Sequence, residues 1–296
     1  MSHHVIRAVI LTAFAMFIVY LVRTDQIMLY IAPRMLLYVK LSAVGLYAAA
    51  IYQVYAALQK RMGRSVADCG CEHDHALESP PASLKNTLIY GLFIFPLLLG
   101  FLLPNATLGS AEAARKGMSL TSTDFVNRTG PGPGAASGAA PLHADSNDLD
   151  AMFPYDEYTK GHAELGKQLY EQPVINVSDK QFIETLTTLD LYRRPLIGKT
   201  VELTGFVYRE EAMPSNQFVV SRFAMNCCSA DALPYGVIVE LDNAARYADD
   251  QWVRVSGILG TTTYQENEVI KLDVTTIQQA IAPESPYVYA DLDFGL

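Results

Sequence analysis

Hydrophobic and polar positions follow two unlike patterns along this chain, and the change falls just after residue 103. Before it come three apolar stretches, at about 5–22, 35–58 and 87–106. The first is interrupted only by Arg7 and Thr12, and the second carries a single charge, Lys40, near enough to its end to snorkel. The third holds Leu97-Leu98-Leu99 and an internal Pro96. Each approaches the roughly 20 residues that a helix needs to cross the hydrocarbon core. Three such runs within 106 residues argue for membrane spans rather than for buried helices of a soluble protein. Leu21-Val22-Arg23-Thr24 is a poor cleavage context after the first run, so that run is expected to be retained.

Beyond residue 106 the pattern is that of a tethered domain. Residues 107–153 read as a flexible Gly/Pro/Ala-rich linker, because a run such as Gly130-Pro131-Gly132-Pro133-Gly134 cannot build a core. Helices are expected over 154–171 and 178–191, the second with Ser178 as N-cap and Gln181 completing a capping box. After Pro195 the period changes to alternation, with strand candidates at 200–207, 217–225, 236–241, 252–259 and 269–276 and a bulge expected at Gly205. The expected fold class is a membrane-anchored α+β protein. Its parts are three N-terminal transmembrane helices over 1–106, the linker, and small helices with a five-stranded OB-like β-barrel over 154–296. A sandwich or a curled sheet has the same strand count.

Charge sharpens this division. Half of the 296 residues are hydrophobic and the mean hydropathy is +0.15. Residues 1–103 carry a net +3 and residues 104–296 a net −12. The acidic second half argues against nucleic acid, which is bound through net positive charge. Lys60, Arg61, Arg64 and Lys85 make the loop at 59–86 the densest basic flank. The positive-inside tendency therefore places that loop and the N-terminus in the cytoplasm and the C-terminal domain outside, in a multi-pass protein held in a lipid bilayer.

Two constellations carry candidate chemistry. The 59–86 loop contains Cys69-Gly70-Cys71-Glu72-His73-Asp74-His75, so Cys69, Cys71, His73 and His75 offer thiolate and imidazole ligands suited to zinc. Their spacing is tighter than that of a zinc finger, which favours an exchange-competent site. His3-His4 would lie on the same side. The second constellation is Arg222 to Asp231, with Cys227, Cys228 and Asp231. Neighbouring side chains on a strand face opposite ways, so both cysteines reach one ion only where the strand has broken. Three readings stay open here: metal ligation by Cys227, Cys228 and Asp231, a redox or nucleophilic thiol assisted by Arg222, or a cysteine packed in the barrel core. Tyr20, Tyr30, Tyr38 and Tyr55 fit an aromatic belt, and Trp252 begins a strand candidate. Phosphate-binding glycine loops, HExxH and nucleophile-elbow patterns are absent, so nothing points to an enzyme of those classes.

The combination resembles the bacterial family of two-component membrane-permease complex subunits of the YcgQ type. The resemblance rests on the apolar stretches around the Cys69–His75 loop, on Phe95-Pro96 and on Pro104-Asn105-Ala106-Thr107-Leu108. In the second half it rests on Gly198 to Tyr208, Arg222-Phe223, Cys228-Ser229-Ala230-Asp231 and Pro286-Tyr287-Val288-Tyr289. It implies a multi-span permease partner, a bacterial cell-membrane location and a role as transport accessory subunit. Two departures stand out: only two histidines in the inner loop, and a long linker. Competing classes are a membrane-tethered thiol or metal-transfer protein without transport, and a non-catalytic interaction scaffold.

Overall fold

The computed structural model describes residues 2–62, 84–103, 106–122 and 148–295. Their packing divides the chain into two units, Met1–Ala106 and Thr107–Leu296. The Cys69–His75 cluster and the Gly130–Gly138 stretch lie outside the described residues.

The first unit is helical: α1 (Ser2–Arg23), α2 (Leu36–Arg61) and α3 (Leu84–Leu102). Helices α1 and α2 are long and apolar enough to cross a membrane, yet only 17% and 11% of their apolar windows are buried. What is buried is mostly small, Ala8, Ala15, Ala43, Ala50, Ala56 and Ala57, together with Ile10 and Leu21 of α1. What faces outward is large, including Val9, Met16, Leu37, Leu41, Val44 and Ile51. Small residues let two backbones approach closely, and large apolar side chains suit a hydrocarbon surround better than water. Helix α3 meets α1 where Phe101 lies edge-on to Phe17 at 4.9 Å and Gly100 leaves room for the Phe17 ring. Helix α3 has 19 residues, and Leu88–Leu102 within it is a continuous apolar helical stretch. The apolar stretch expected at about 87–106 overlaps this helix.

The second unit is a mixed sheet with helices against it. Its strands are β1 (Val174–Asn176), β2 (Thr200–Tyr208), β3 (Gln217–Ala224), β4 (Leu233–Glu240), β5 (Trp252–Tyr264), β6 (Asn267–Gln279) and β7 (Tyr287–Val288). Each of the five strand candidates falls on one of the long strands. The sheet order is β1-β2-β5-β6-β4-β3-β7, and β2 also pairs with β3, so the five long strands return on themselves. All the pairings within that ring are antiparallel except β4 with β6. The two short strands add in parallel at the margins, β1 on β2 and β7 on β3.

Gly205 is no bulge. It sits in regular register opposite Val253, and the register shift falls at Ser256/Gly257 instead. A side chain on Gly205 would put its first carbon 2.5 Å from the Ser221 carbonyl oxygen, so glycine here permits β2 to press against β3.

Short helices complete this unit: α4 (Ser110–Lys116), α5 (Asp148–Met152), α6 (Lys160–Glu171), α7 (Phe182–Leu191) and α8 (Arg193–Leu196). Both expected helices begin later than the pattern suggested. Asp156 instead forms a turn that accepts the amides of Tyr158 and Thr159. Ser178 Oγ does accept the Gln181 amide, but the Gln181 side chain reaches Asp291, so the capping box does not close. Helix α7 is buried from Phe182 to Asp190, polar residues included. Its Thr187 bonds Tyr235, its Thr188 bonds His162, and Asp190 accepts both the amide and the hydroxyl of Ser122 at 2.7 Å.

That last contact corrects the linker. Residues 107–122 form part of the folded domain, with Ala113 and Leu120 buried and Ser119 bridged to Tyr235 of β4. The partners lie more than 60 residues away in sequence, so no local pattern announces them.

Replacing Gly205 with Ala is expected to destabilise the second unit by about 1–3 kcal/mol through overpacking against Ser221. Thermal unfolding of the detergent-solubilised chain checks this, and an unchanged midpoint would show that β2 and β3 have room to spare.

Candidate functional site

Strand β3 ends at Ala224, and Met225 donates its amide to the Val288 carbonyl of the β7 segment at 2.9 Å. The chain then leaves the sheet. Residues 226–231 turn back on themselves, closed by the Asp231 amide on the Cys228 carbonyl at 3.1 Å. The break frees both cysteines from the alternation of a strand, and this is what lets them share a side.

Asp231 organises the turn. Its carboxylate accepts the amides of Cys227 at 2.7 Å, Asn226 at 3.1 Å and Cys228 at 3.4 Å. The Sγ atoms of Cys227 and Cys228 stand 3.7 Å apart, far beyond a disulfide bond, so these are free thiols. One ligand atom from each of Cys227, Cys228 and Asp231 lies within 4.8 Å of the others, and all three residues are partly exposed. Among the described residues this is where cysteine, histidine and carboxylate groups gather in that way.

The electrostatics follow from the carboxylate. The Cys227 thiol is pushed up to about 12, first by its hydrogen bond to Asp231 and then by the neighbouring Cys228. Burial alone would raise the Asp231 carboxyl. The hydrogen bonds it accepts from the Cys227 thiol and from the three amides outweigh burial and hold it below the usual carboxylate range. At neutral pH the site therefore presents a carboxylate beside a protonated Cys227.

Arg222 is not an assistant to these thiols. Its side chain is fully buried, with Nη1 on Asp179 at 2.7 Å, Nη2 on the Ser285 carbonyl at 3.0 Å and Nε on the Pro286 carbonyl at 3.1 Å. The guanidinium also lies 5.1 Å from the centre of the Trp252 ring. It fastens the Pro286–Tyr289 segment beside β3, where β7 pairs. Burial lowers its pKa and the Asp179 carboxylate opposes that, so it stays a cation bound to its own partners. Nor does either cysteine fill the core, since both are partly exposed. In the helical unit, His3 meets Tyr90 at 3.1 Å and His4 meets Gln53 at 2.8 Å.

One participant escaped the sequence reading altogether. Lys116, at the end of α4, directs its ammonium to the carbonyl oxygens of Ser229, Ala230 and Ala232, at 3.3, 3.0 and 2.7 Å. Nothing near Lys116 in sequence signals a role more than a hundred residues away.

Residues 6–119 match the DUF1980 N-terminal domain and residues 152–290 the DUF1980 C-terminal domain. UPF0703 protein YcgQ of Bacillus subtilis (strain 168) is 30% identical over 213 residues, which cover 69% of this chain and 69% of that protein. The chain belongs to the DUF1980 family. A second relative, from Streptococcus mutans serotype c, bears the name "Putative two-component membrane permease complex subunit"; it is 24% identical over 73% of this chain and 77% of its own length. Among solved structures, the small single-stranded DNA-binding protein of Streptomyces coelicolor aligns at 14% identity over 29% of this chain and 96% of its own. Its TM-score of 0.18 carries no weight for fold or ligand.

If Asp231 raises the Cys227 thiol in this DUF1980 chain, Asp231→Asn should bring the thiol down, and alkylation near pH 8 should then quicken about tenfold or more. A pH profile of alkylation that matches the wild type would place the cause elsewhere.

Proposed function

We propose that this DUF1980 chain is an accessory subunit of a two-component membrane permease, which works with a multi-span permease partner and binds a metal ion, zinc first, at Cys227, Cys228 and Asp231. The observation that carries the metal reading is the convergence of two sulfurs and a carboxylate oxygen within 4.8 Å on one turn. Two thiolates on a tetrahedral zinc, with Zn–S near 2.3 Å, stand about 3.8 Å apart. The observed Sγ–Sγ distance is 3.7 Å, so the pair has the spacing such an ion asks for without rearrangement. Three protein ligands leave a fourth position for water or for the transported species, as in exchange-competent zinc sites.

The permease reading is supported by the name of the Streptococcus mutans relative and by the two helices of spanning length. The closed strand pairing, with its single parallel contact between β4 and β6, supports an OB-like barrel as the scaffold that presents the turn. In this reading α3 also enters the membrane, and the Cys69, Cys71, His73 and His75 loop binds zinc or a similar ion on the cytoplasmic side. The second unit then lies outside. Thiol transfer through Cys227 is less favoured, because a reactive cysteine needs its thiolate and Cys227 is held protonated.

Zinc retained by the purified full-length chain is the direct test. Cys227→Ser/Cys228→Ser and Asp231→Ala are expected to lose metal that the parent keeps, and equal retention would overturn the metal reading. The sign of the pH dependence follows from the raised thiol: zinc must displace the Cys227 proton, so affinity should rise with pH across the neutral range and binding should release protons. Co-purification with a multi-span membrane protein is the expected outcome for the permease role, whereas isolation alone would speak against it. An impermeant thiol reagent on intact cells should reach the Cys227/Cys228 pair and spare Cys69; labelling of Cys69 would invert the topology.

A further inference from the structure

The segment leading into the second unit is tied down at every few residues. The Leu108 amide bonds the Tyr287 hydroxyl at 3.1 Å, and Ser110 gives its amide and hydroxyl to the Asp250 carboxylate at 2.5 and 2.8 Å. Ala113 is wholly buried, Ser119 exchanges backbone bonds with Pro234 and Gly236, and Ser122 ends the segment on Asp190. Helix α4 therefore has a fixed position, and its last residue is Lys116.

An ammonium has three donor hydrogens and no acceptor, and here three carbonyls of one turn stand within 3.3 Å of it. They belong to Ser229, Ala230 and Ala232, the residues on either side of Asp231. Carbonyl dipoles aimed at a common point repel one another unless a cation sits there. With the cation in place, the turn is held in the shape that carries the Asp231 carboxylate onto the Cys227 and Cys228 amides.

We propose that Lys116 is the positioning residue of the cysteine site: it holds the 229–232 carbonyls and so sets where Asp231 stands relative to Cys227 and Cys228. Its ammonium bonds the carbonyl oxygens of the turn, and its effect on a bound metal is exerted through the turn. The metal part of this assignment rests on the reading under Proposed function; the loop-holding part does not.

The test uses the full-length chain in detergent with Cys69→Ser/Cys71→Ser as parent, so that zinc reports on the outer site. Zinc affinity is read by competition with a chromophoric chelator. Lys116→Met should weaken it about 10- to 100-fold, as for other groups that orient ligands without binding the metal. Cobalt(II) should still show thiolate charge-transfer absorption in that variant, since the ligands remain. Lys116→Arg, which keeps a cation and several donors, should recover most of the affinity. Ser122→Ala loosens the same segment at Asp190, away from the turn, and should leave zinc affinity as in the parent.

Lys116→Met binding zinc as tightly as the parent would overturn the proposal and leave the metal reading standing. So would an equal loss in Ser122→Ala, which would mean that general loosening suffices. If the parent retains no more zinc than its Cys227→Ser/Cys228→Ser derivative, the metal reading fails instead. Amide hydrogen exchange at residues 226–232 then decides: faster exchange in Lys116→Met supports the positioning role, and unchanged exchange overturns it.

Discussion

Strand β3 is the element on which the second unit depends, because its backbone is hydrogen-bonded to three other strands. It pairs with β4 along its whole length, with β2 through Val219 to Ser221, and with β7 through Phe223 and Ala224. A buried backbone amide or carbonyl without a partner is costly, so a strand this deep must find pairing on both sides. Glycine at 205 makes the β2 side possible by letting that strand approach Ser221. Arg222 secures the β7 side by bonding the Ser285 and Pro286 carbonyls from within the core. An arginine in a core is tolerable only where all its donors have such partners.

The cysteine turn grows out of the end of this strand. Where β3 stops, the amides of residues 226–228 would be left without partners, and the Asp231 carboxylate takes all three. The carboxylate thus does two things at once: it completes the backbone bonding of a chain leaving a sheet, and it raises the thiol beside it. A metal would relieve that second effect by taking the proton's place, which ties occupancy of the site to its charge. The α4 segment closes the turn from the other end through Lys116.

The helical unit obeys a different solvent. Its inward residues are mostly alanines and its outward residues are large and apolar, the inverse of a soluble bundle. This is why two helices with little buried surface are coherent parts of a chain whose second half is an ordinary acidic domain.

Apolar runs revealed α1 and α2, and alternation revealed all five long strands and with them the α+β class, because each signal lies along the element's own length. Spacing along the chain also allowed Cys227, Cys228 and Asp231 to come together, since a turn of five residues is local geometry. It could not show that residues 107–122 fold onto the domain, that β7 pairs with β3, or that Gly205 marks close packing instead of a bulge. It left open a role for Arg222 as a helper of the thiols, because a buried arginine and an exposed one look alike until their partners are known. Lys116 was invisible for the same reason: its three acceptors lie more than a hundred residues away. What a residue does through its neighbours along the chain was determined by sequence alone. What Arg222, Asp190 and Lys116 do was decided only when the strands closed, because hydrogen bonds and charge act over a few ångströms of space, and chain order does not measure that distance.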